Sequence, residues 1–294
     1  MTEIDLDGRV AIVTGAGGGL GRSHALALAE RGAKVVVNDL GSRDPDGPSA
    51  GKVVAEIEEG GGTAIADTAS VAEPDAAHGI VAAALDAFGR VDVLVNNAGI
   101  LRDRSFAKMT EQEVRDVLEV HLLGAFHLTM AAWPHLREQG YGRVVNTTSP
   151  AGLFGNFGQA NYASAKMGLV GLTRTLAIEG RKGGINVNVI APLAASRMTE
   201  AILPPEVLAK LDPALVSPLV VYLSSEACTE TGAILTAGGG FVGRVAVVQG
   251  DGAVFEELTP ESLAARWDEV TRLGAGREFP AGAAEQGDWV VGQL

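Results

Sequence analysis

The sequence predicts an α/β fold, a doubly wound parallel sheet of about seven strands with helices on both faces. Three observations predict it. Short runs rich in Val and Ile alternate with longer helical runs from residue 9 to about residue 237. The short runs are continuously apolar, as strands buried on both faces must be. The first of them runs directly into a glycine-rich turn that opens a helix, the start of a strand–helix–strand unit.

The candidate strands are 9–14 (RVAIVT), 34–38 (KVVVN), 63–66 (TAIA), 91–96 (VDVLVN), 143–148 (RVVNTT), 185–190 (INVNVI) and 233–237 (AILTA). Between them lie candidate helices near 20–31, 49–60, 75–88, 110–138, 160–180 and 213–225. Thr110 and Glu113 have the spacing of a capping box at the start of the fourth. The loop 40–50, LGSRDPDGPSA, is longer than an ordinary strand–helix connection, so an insertion is expected there. After residue 240 the alternation stops. VAVVQGDGAVFEE reads as a hairpin turning at 250–252, and TPESLAARWDEV as a helix with Thr259 as N-cap and Pro260 at its first position. The last 20 residues read as a loosely held tail. The expected organisation is one domain over 1–244. A C-terminal extension, 245–294, would pack on that domain or on a partner subunit.

Composition narrows the function classes. The chain of 294 residues is 47% hydrophobic and 20% charged, enough for a sizeable core. A net charge of -13 argues against a nucleic-acid surface and against an anionic membrane. No apolar run reaches the ~18 to 20 residues of a membrane span. The single cysteine, Cys228, excludes an internal disulfide and a multi-thiolate metal site. The acidic start, MTEIDLDGRV, reads as neither a secretory signal nor a transit peptide, and the lone cysteine fits the expected reducing, cytoplasmic setting.

TGAGGGLG, 14–21, joins the first strand to the first helix. Gly15, Gly19 and Gly21, with Leu20 among them, let the backbone approach a pyrophosphate, and the helix N-terminus offers unpaired N–H groups to it. The alternative is a glycine-rich turn that holds no ligand. The second strand ends VVVNDL, placing Asp39 18 residues beyond Gly21. A carboxylate there can accept hydrogen bonds from both adenosine ribose hydroxyls of NAD. It would also repel the 2′-phosphate of NADP, by ~4 kcal/mol for unit charges ~4 Å apart at an effective dielectric of about 20. Asp39 could instead be a plain turn residue, and Arg43 could fold back onto such a phosphate.

ANYASAK, 160–166, places Tyr162 and Lys166 four positions apart, on one face of a helix. Together with TGAGGGLG, NNAG at 96–99 and Ser149 thirteen residues before Tyr162, this pattern resembles the short-chain dehydrogenase/reductase family over roughly residues 6–240. NNAGILRDRSF, VHLLGAFHLT, GNFGQANYASAK, AIEGRKGGINVNVIAP and SRMT are similar to the family's (3R)-hydroxyacyl-CoA dehydrogenase branch, which occurs within type 2 multifunctional enzymes. LTPESLAARW is similar to that branch's C-terminal extension, and the sequence closes on VGQL, not on a peroxisomal tripeptide.

The resemblance implies a Rossmann-type fold, NAD as cofactor and hydride transfer. A phenol with a pKa of ~10 is a poor base near neutrality. A nearby ammonium, with the positive charge of an oxidised nicotinamide, would lower that pKa. Tyr162 then takes the alcohol proton and returns it in reduction. Ser149 stabilises the charge on the substrate oxygen, and Lys166 also holds the nicotinamide ribose. Asn97, Ala98 and Gly99 line the cofactor, with Asn96 a further candidate, and Pro192 follows the sixth strand. Where many family members carry an Asn in the fourth long helix, this chain has His121. It either completes a proton relay or is a packed helix histidine. Ala69 replaces the usual adenine-side Asp, with Asp67 two residues early, and Leu193 replaces the usual Gly after Pro192. Ser196 and Thr199 are both possible contacts to the carboxamide.

The leading expectation is an NAD-dependent 3-hydroxyacyl-CoA dehydrogenase. The second is a hydroxysteroid dehydrogenase or an enzyme acting on a CoA-linked sterol side chain. The third is a dinucleotide sensor without chemistry, against which the Ser149–Tyr162–Lys166 set argues. PAGLFGNFG, 150–158, is apolar and suits a fatty or a sterol chain. Arg102, Arg104 and Arg197 could meet CoA phosphates or could be solvated loop residues. The Ala- and Gly-rich faces of 110–138 and 160–180 and the resemblance together imply a homodimer or homotetramer.

Overall fold

The computed structural model describes residues 4–41, 47, 49–194, 204–208 and 210–293. They form two compact units, 1–244 and 245–294.

Among the described residues there are eight strands: β1 (Val10–Thr14), β2 (Lys34–Asn38), β3 (Thr63–Asp67), β4 (Val93–Asn96), β5 (Gly142–Thr147), β6 (Ile185–Pro192), β7 (Ile234–Gly238) and β8 (Phe241–Val245). Their order is β3-β2-β1-β4-β5-β6-β7-β8. β1 to β7 pair in parallel, with Ile12 beside Val36 on one side and Leu94 on the other. The chain winds outward from β1 to β3 and then returns to β4. The switch point between β1 and β4 leaves a crevice outside the carboxyl ends of the strands, where open α/β sheets bind ligands.

β8 exceeds the expected count of about seven. It follows a two-residue turn in which Gly239 and Gly240 both have positive φ, 60 and 84°, the geometry that tight hairpins demand. The hairpin expected at 250–252 does not form. There only Gly252 has positive φ, and Gln249 instead makes an isolated antiparallel bridge to Arg277.

The helices of the first unit are α1 (Gly19–Ala29), α2 (Ala50–Glu59), α3 (Pro74–Phe88), α4 (Glu111–Leu118), α5 (Gly124–Gln139), α6 (Pro150–Phe154), α7 (Ala160–Gly180), α8 (Pro205–Leu208) and α9 (Ser217–Ser224). The Thr110–Glu113 capping box starts α4 as expected. The single helix expected over 110–138 is interrupted by a π turn, Glu119–Leu123, which carries His121. Such insertions into a helix cluster at functional sites.

Alternation along the strands divides the core into two layers. Ala11, Val13, Val35, Val37, Val93 and Val95 pack with Leu28, Val53 and Leu223 on one face. Val10, Ile12, Val36 and Leu94 pack with Ile80, Leu128 and Leu136 on the other. Complete burial of each large side chain contributes about 1.5–3 kcal/mol, and the sheet is thereby a rigid floor for the loops at its carboxyl edge.

The second unit holds α10 (Pro260–Ala265), α11 (Trp267–Val270) and α12 (Ala283–Val291). Thr259 caps α10 as expected, and Ser262 completes the box. The last 20 residues are not the loose tail that their Gly, Ala and charge content implied. Phe279 is buried with its ring 5.7 Å from that of Trp289, and the Arg277 guanidinium lies 5.4 Å from the same indole. Two aromatics brought together across a turn are invisible to composition. Among the described residues, no helix is long and apolar enough to cross a membrane.

Candidate active site

The glycine turn is packed to a tolerance that only glycine meets. A Cβ on Gly21 would lie 2.2 Å from the Gly15 carbonyl oxygen and 2.6 Å from Asn97 Nδ2. The contact lets α1 start directly against the end of β1. Gly19 has φ +53°, with nothing within 4 Å of its missing Cβ, so the backbone is open to an approaching group there. Gly18, the N-cap, provides no side-chain bond. The first N–H groups of α1 therefore keep their donor capacity for an anion. Leu20 packs partly on the core beneath. This cradle fits a dinucleotide pyrophosphate.

Asp39 stands one residue past β2, with its carboxylate against the turn. Oδ2 accepts the Gly17 N–H at 2.9 Å and Oδ1 accepts the Gly41 N–H at 2.7 Å. Arg43 lies outside the described residues. Across the crevice, the NNAG stretch is fastened to the same turn. Thr14 Oγ1 accepts the N–H groups of Asn97 and Ala98 at 3.0 and 3.1 Å, and Asn97 Nδ2 donates to the carbonyls of Thr14 and Gly15. The Asn97 amide thus shapes the cradle. Asn96 steadies the sheet instead, donating to Asn146 Oδ1 at 2.8 Å and Thr129 Oγ1 at 3.2 Å. The role of Thr14 was missed from sequence. Its signal was a lone hydroxyl ending a strand that is otherwise apolar.

Ser149 follows β5 and caps α6, its Oγ accepting the Ala151 N–H at 3.1 Å. Tyr162 and Lys166 reach the same place from α7. Lys166 is buried, donates from Nζ to the Thr147 carbonyl at 2.6 Å, and lies with Nζ 5.6 Å from the centre of the Tyr162 ring. Burial pulls the Lys166 ammonium down to about 7. Burial also pushes the Tyr162 phenol up, against a hydrogen bond with Ser149 that lowers it. This is the direction for the protein without ligand; the expected lowering draws also on the charge of a bound oxidised nicotinamide. Loss of water around the ring dominates, and the ammonium is itself weakened by burial.

His121 is buried beneath Tyr162, its ring edge-on to the phenol ring at 5.2 Å between centroids. Nε2 is 2.9 Å from the Ile100 nitrogen and 2.7 Å from the Ile100 oxygen. It accepts from the N–H in one tautomer and donates to the carbonyl in the other. Burial, reinforced by the charge of Lys166, lowers its pKa to about 3, so the imidazole is neutral near pH 7. A Cβ on Gly99 would lie 2.2 Å from His121 Cε1, which ties the last glycine of NNAG to this ring.

Other sequence candidates are placed elsewhere. Arg104 donates to Glu113 at 2.7 Å, and Arg102 sits 3.6 Å from Asp116, so both pair with α4. Asp67 Oδ1 accepts from Asn38 and from the Ala69 N–H. Pro192 ends β6, beside Leu193, whose carbonyl oxygen lies 2.3 Å from where a Gly238 Cβ would stand. Ser196, Arg197 and Thr199 lie outside the described residues.

The chain and its fold have counterparts among known proteins. The short chain dehydrogenase family model matches residues 9–204. A putative short-chain type dehydrogenase/reductase of Mycobacterium tuberculosis is 55% identical over 274 residues, covering 92% of this chain and 96% of that one. Peroxisomal multifunctional enzyme type 2 of Mus musculus is 49% identical over 277 residues, covering 92% of this chain and 37% of its own length. The structure of full-length peroxisomal multifunctional enzyme type 2 from Drosophila melanogaster superposes with a TM-score of 0.84 at 41% identity, over 98% of this chain and 49% of that one. The chain therefore spans less than half of these two multifunctional enzymes.

Proposed function

The chain belongs to the short-chain dehydrogenase/reductase family, and from that premise we propose that it is an NAD-dependent 3-hydroxyacyl-CoA dehydrogenase with Tyr162 as general acid/base. The observation that carries this reading is the convergence of Ser149, Tyr162 and Lys166 beside a glycine cradle at the carboxyl end of the sheet. Similarity to type 2 multifunctional enzymes over nearly the whole chain supports the substrate class.

Family members use a nicotinamide dinucleotide, which supplies the hydride acceptor or donor when bound. Gly15, Gly19, Leu20 and Gly21 would hold its pyrophosphate, Asp39 its adenosine ribose, and Ala98, Gly99 and Pro192, with Asn97, the walls around it. Ser149 spends an acceptor lone pair on Ala151, and its O–H, turned from Tyr162, can donate to a substrate oxygen. Tyr162 moves the proton of the substrate hydroxyl. Lys166 spends one N–H on Thr147 and has the others for the nicotinamide ribose. The neutral His121 holds Ile100 and the edge of Tyr162, a positioning role and not that of a charged relay.

The exposed Phe154 and Phe157, 74% and 90% accessible, give an apolar rim near Ser149 that suits an acyl chain. A sterol would use the same rim, so the test compares both. Initial rates with NAD should be highest for (3R)-hydroxyacyl-CoA, above (3S)-hydroxyacyl-CoA and above hydroxysteroids. Preference for a steroid, or no reduction of NAD with any of them, contradicts the proposal. A cytoplasmic location and assembly into a homodimer or homotetramer belong to it. For assembly, the support is an apolar groove of about 770 Å³ between α5 and α7, lined by Phe126, Met130, Trp133 and Leu172.

A further inference from the structure

We infer that Gly17 is a specificity-determining residue, holding the Asp39 carboxylate in the orientation that selects NAD over NADP. The inference rests on the proposed reading of Asp39. Gly17 has no positive φ, so its backbone conformation is open to other residues. What demands glycine is a neighbour. The three atoms nearest to a Cβ built on Gly17 are Asp39 Cγ at 2.7 Å, Oδ2 at 2.9 Å and Cβ at 3.1 Å. The space a side chain would occupy is filled by one carboxylate.

That carboxylate is fixed before any ligand arrives. The Gly17 N–H holds Oδ2 and the Gly41 N–H holds Oδ1. An ionised carboxylate has about four lone-pair sites, so each oxygen retains capacity for one ribose hydroxyl. Two main-chain donors pre-orient the acceptor, and the ordering cost on binding falls. The same contact works against NADP twice. It presents negative charge where a 2′-phosphate would sit, and it occupies the Gly17 N–H, a donor that a phosphate could otherwise use.

A methyl group on Gly17 would act mainly through Asp39. The clash is with the end of a short side chain and not with backbone, so the carboxylate must rotate away and lose its bond to Gly17. The measurement is isothermal titration of NADH and of NADPH into the unaltered protein, Gly17→Ala, Asp39→Ala and the double variant, with thermal melting to confirm folding. Gly17→Ala should lower the preference for NADH by about tenfold or more, the size of losing a hydrogen bond to a charged group. Asp39→Ala should lower it at least as far, and the double variant should match Asp39→Ala alone. Asp39→Glu keeps the charge but is too long for the space beside Gly17, so it should lose preference too, and it serves if Gly17→Ala does not fold. Unchanged preference in Gly17→Ala or Asp39→Glu, with loss in Asp39→Ala, overturns the inference and leaves the reading of Asp39 intact. So does a further loss on adding Gly17→Ala to Asp39→Ala. Unchanged preference in Asp39→Ala overturns both.

Discussion

Gly99→Ala is a sharp probe of how the NNAG stretch serves the site. The added methyl would stand 2.2 Å from His121 Cε1, 2.9 Å from Nδ1 and 3.0 Å from Nε2. The imidazole is buried, so it cannot move aside freely, and displacing it breaks the contact with Ile100. Leaving a buried polar group unpaired costs about 1–3 kcal/mol, and forcing a methyl into packed space costs about 1–3 kcal/mol more. The sum, about 2–6 kcal/mol, corresponds to a fall in Tm of roughly 4–12 °C at about 2 °C per kcal/mol for a domain of this size. Turnover should fall as well, because His121 backs the Tyr162 ring. The assay is denaturant unfolding with thermal melting, repeated in a His121→Ala background. There the methyl enters vacated space, and the added cost should shrink by more than half, a coupling that a double-mutant cycle isolates. Gly99→Ala within about 0.5 kcal/mol of the parent, or an equal cost in both backgrounds, would refute the reasoning.

Three further outcomes are expected. The Tyr162 phenol should ionise above the ordinary ~10 in the protein alone, since burial raises it. Saturation with NAD should then lower it. Ultraviolet difference titration against Tyr162→Phe reads both, and a midpoint at or below ~10 without ligand counts against the burial argument. Light scattering should give at least twice the chain mass of 30.2 kDa, and Met130→Glu, at the exposed α5 surface, should shift the protein towards monomer. A parent mass near 30.2 kDa at micromolar concentration would refute assembly. Deletion of 245–294 should raise the substrate KM or alter the mass, and a variant identical to the parent in both would show the extension to be dispensable.

The doubly wound sheet was legible because buried parallel strands are continuous Val and Ile runs, and because one glycine turn fixes the direction of the first crossover. The run 160–180 coincides with α7. What escaped depends on partners far away in sequence. The π turn around His121 leaves no propensity signal, yet it sets the ring under Tyr162. Gly17 reads as one glycine among several in TGAGGGLG, and only the folded chain shows Asp39 filling its missing side chain. The upward push on the unliganded Tyr162 phenol was not legible, because spacing on a helix gives proximity to Lys166 and says nothing of how dry the site is. Arg102 and Arg104 showed charge without showing that Asp116 and Glu113 face them from α4.

The most direct test of the account is Tyr162→Phe, which removes one oxygen and keeps the ring that packs against His121. Steady-state turnover of a (3R)-hydroxyacyl-CoA with NAD should fall by ~10² to 10⁴, the usual share of a general acid/base. NADH affinity measured by titration should be little changed. Near-normal turnover in the variant, or a loss explained wholly by weaker cofactor binding, would contradict the assignment of proton transfer to Tyr162.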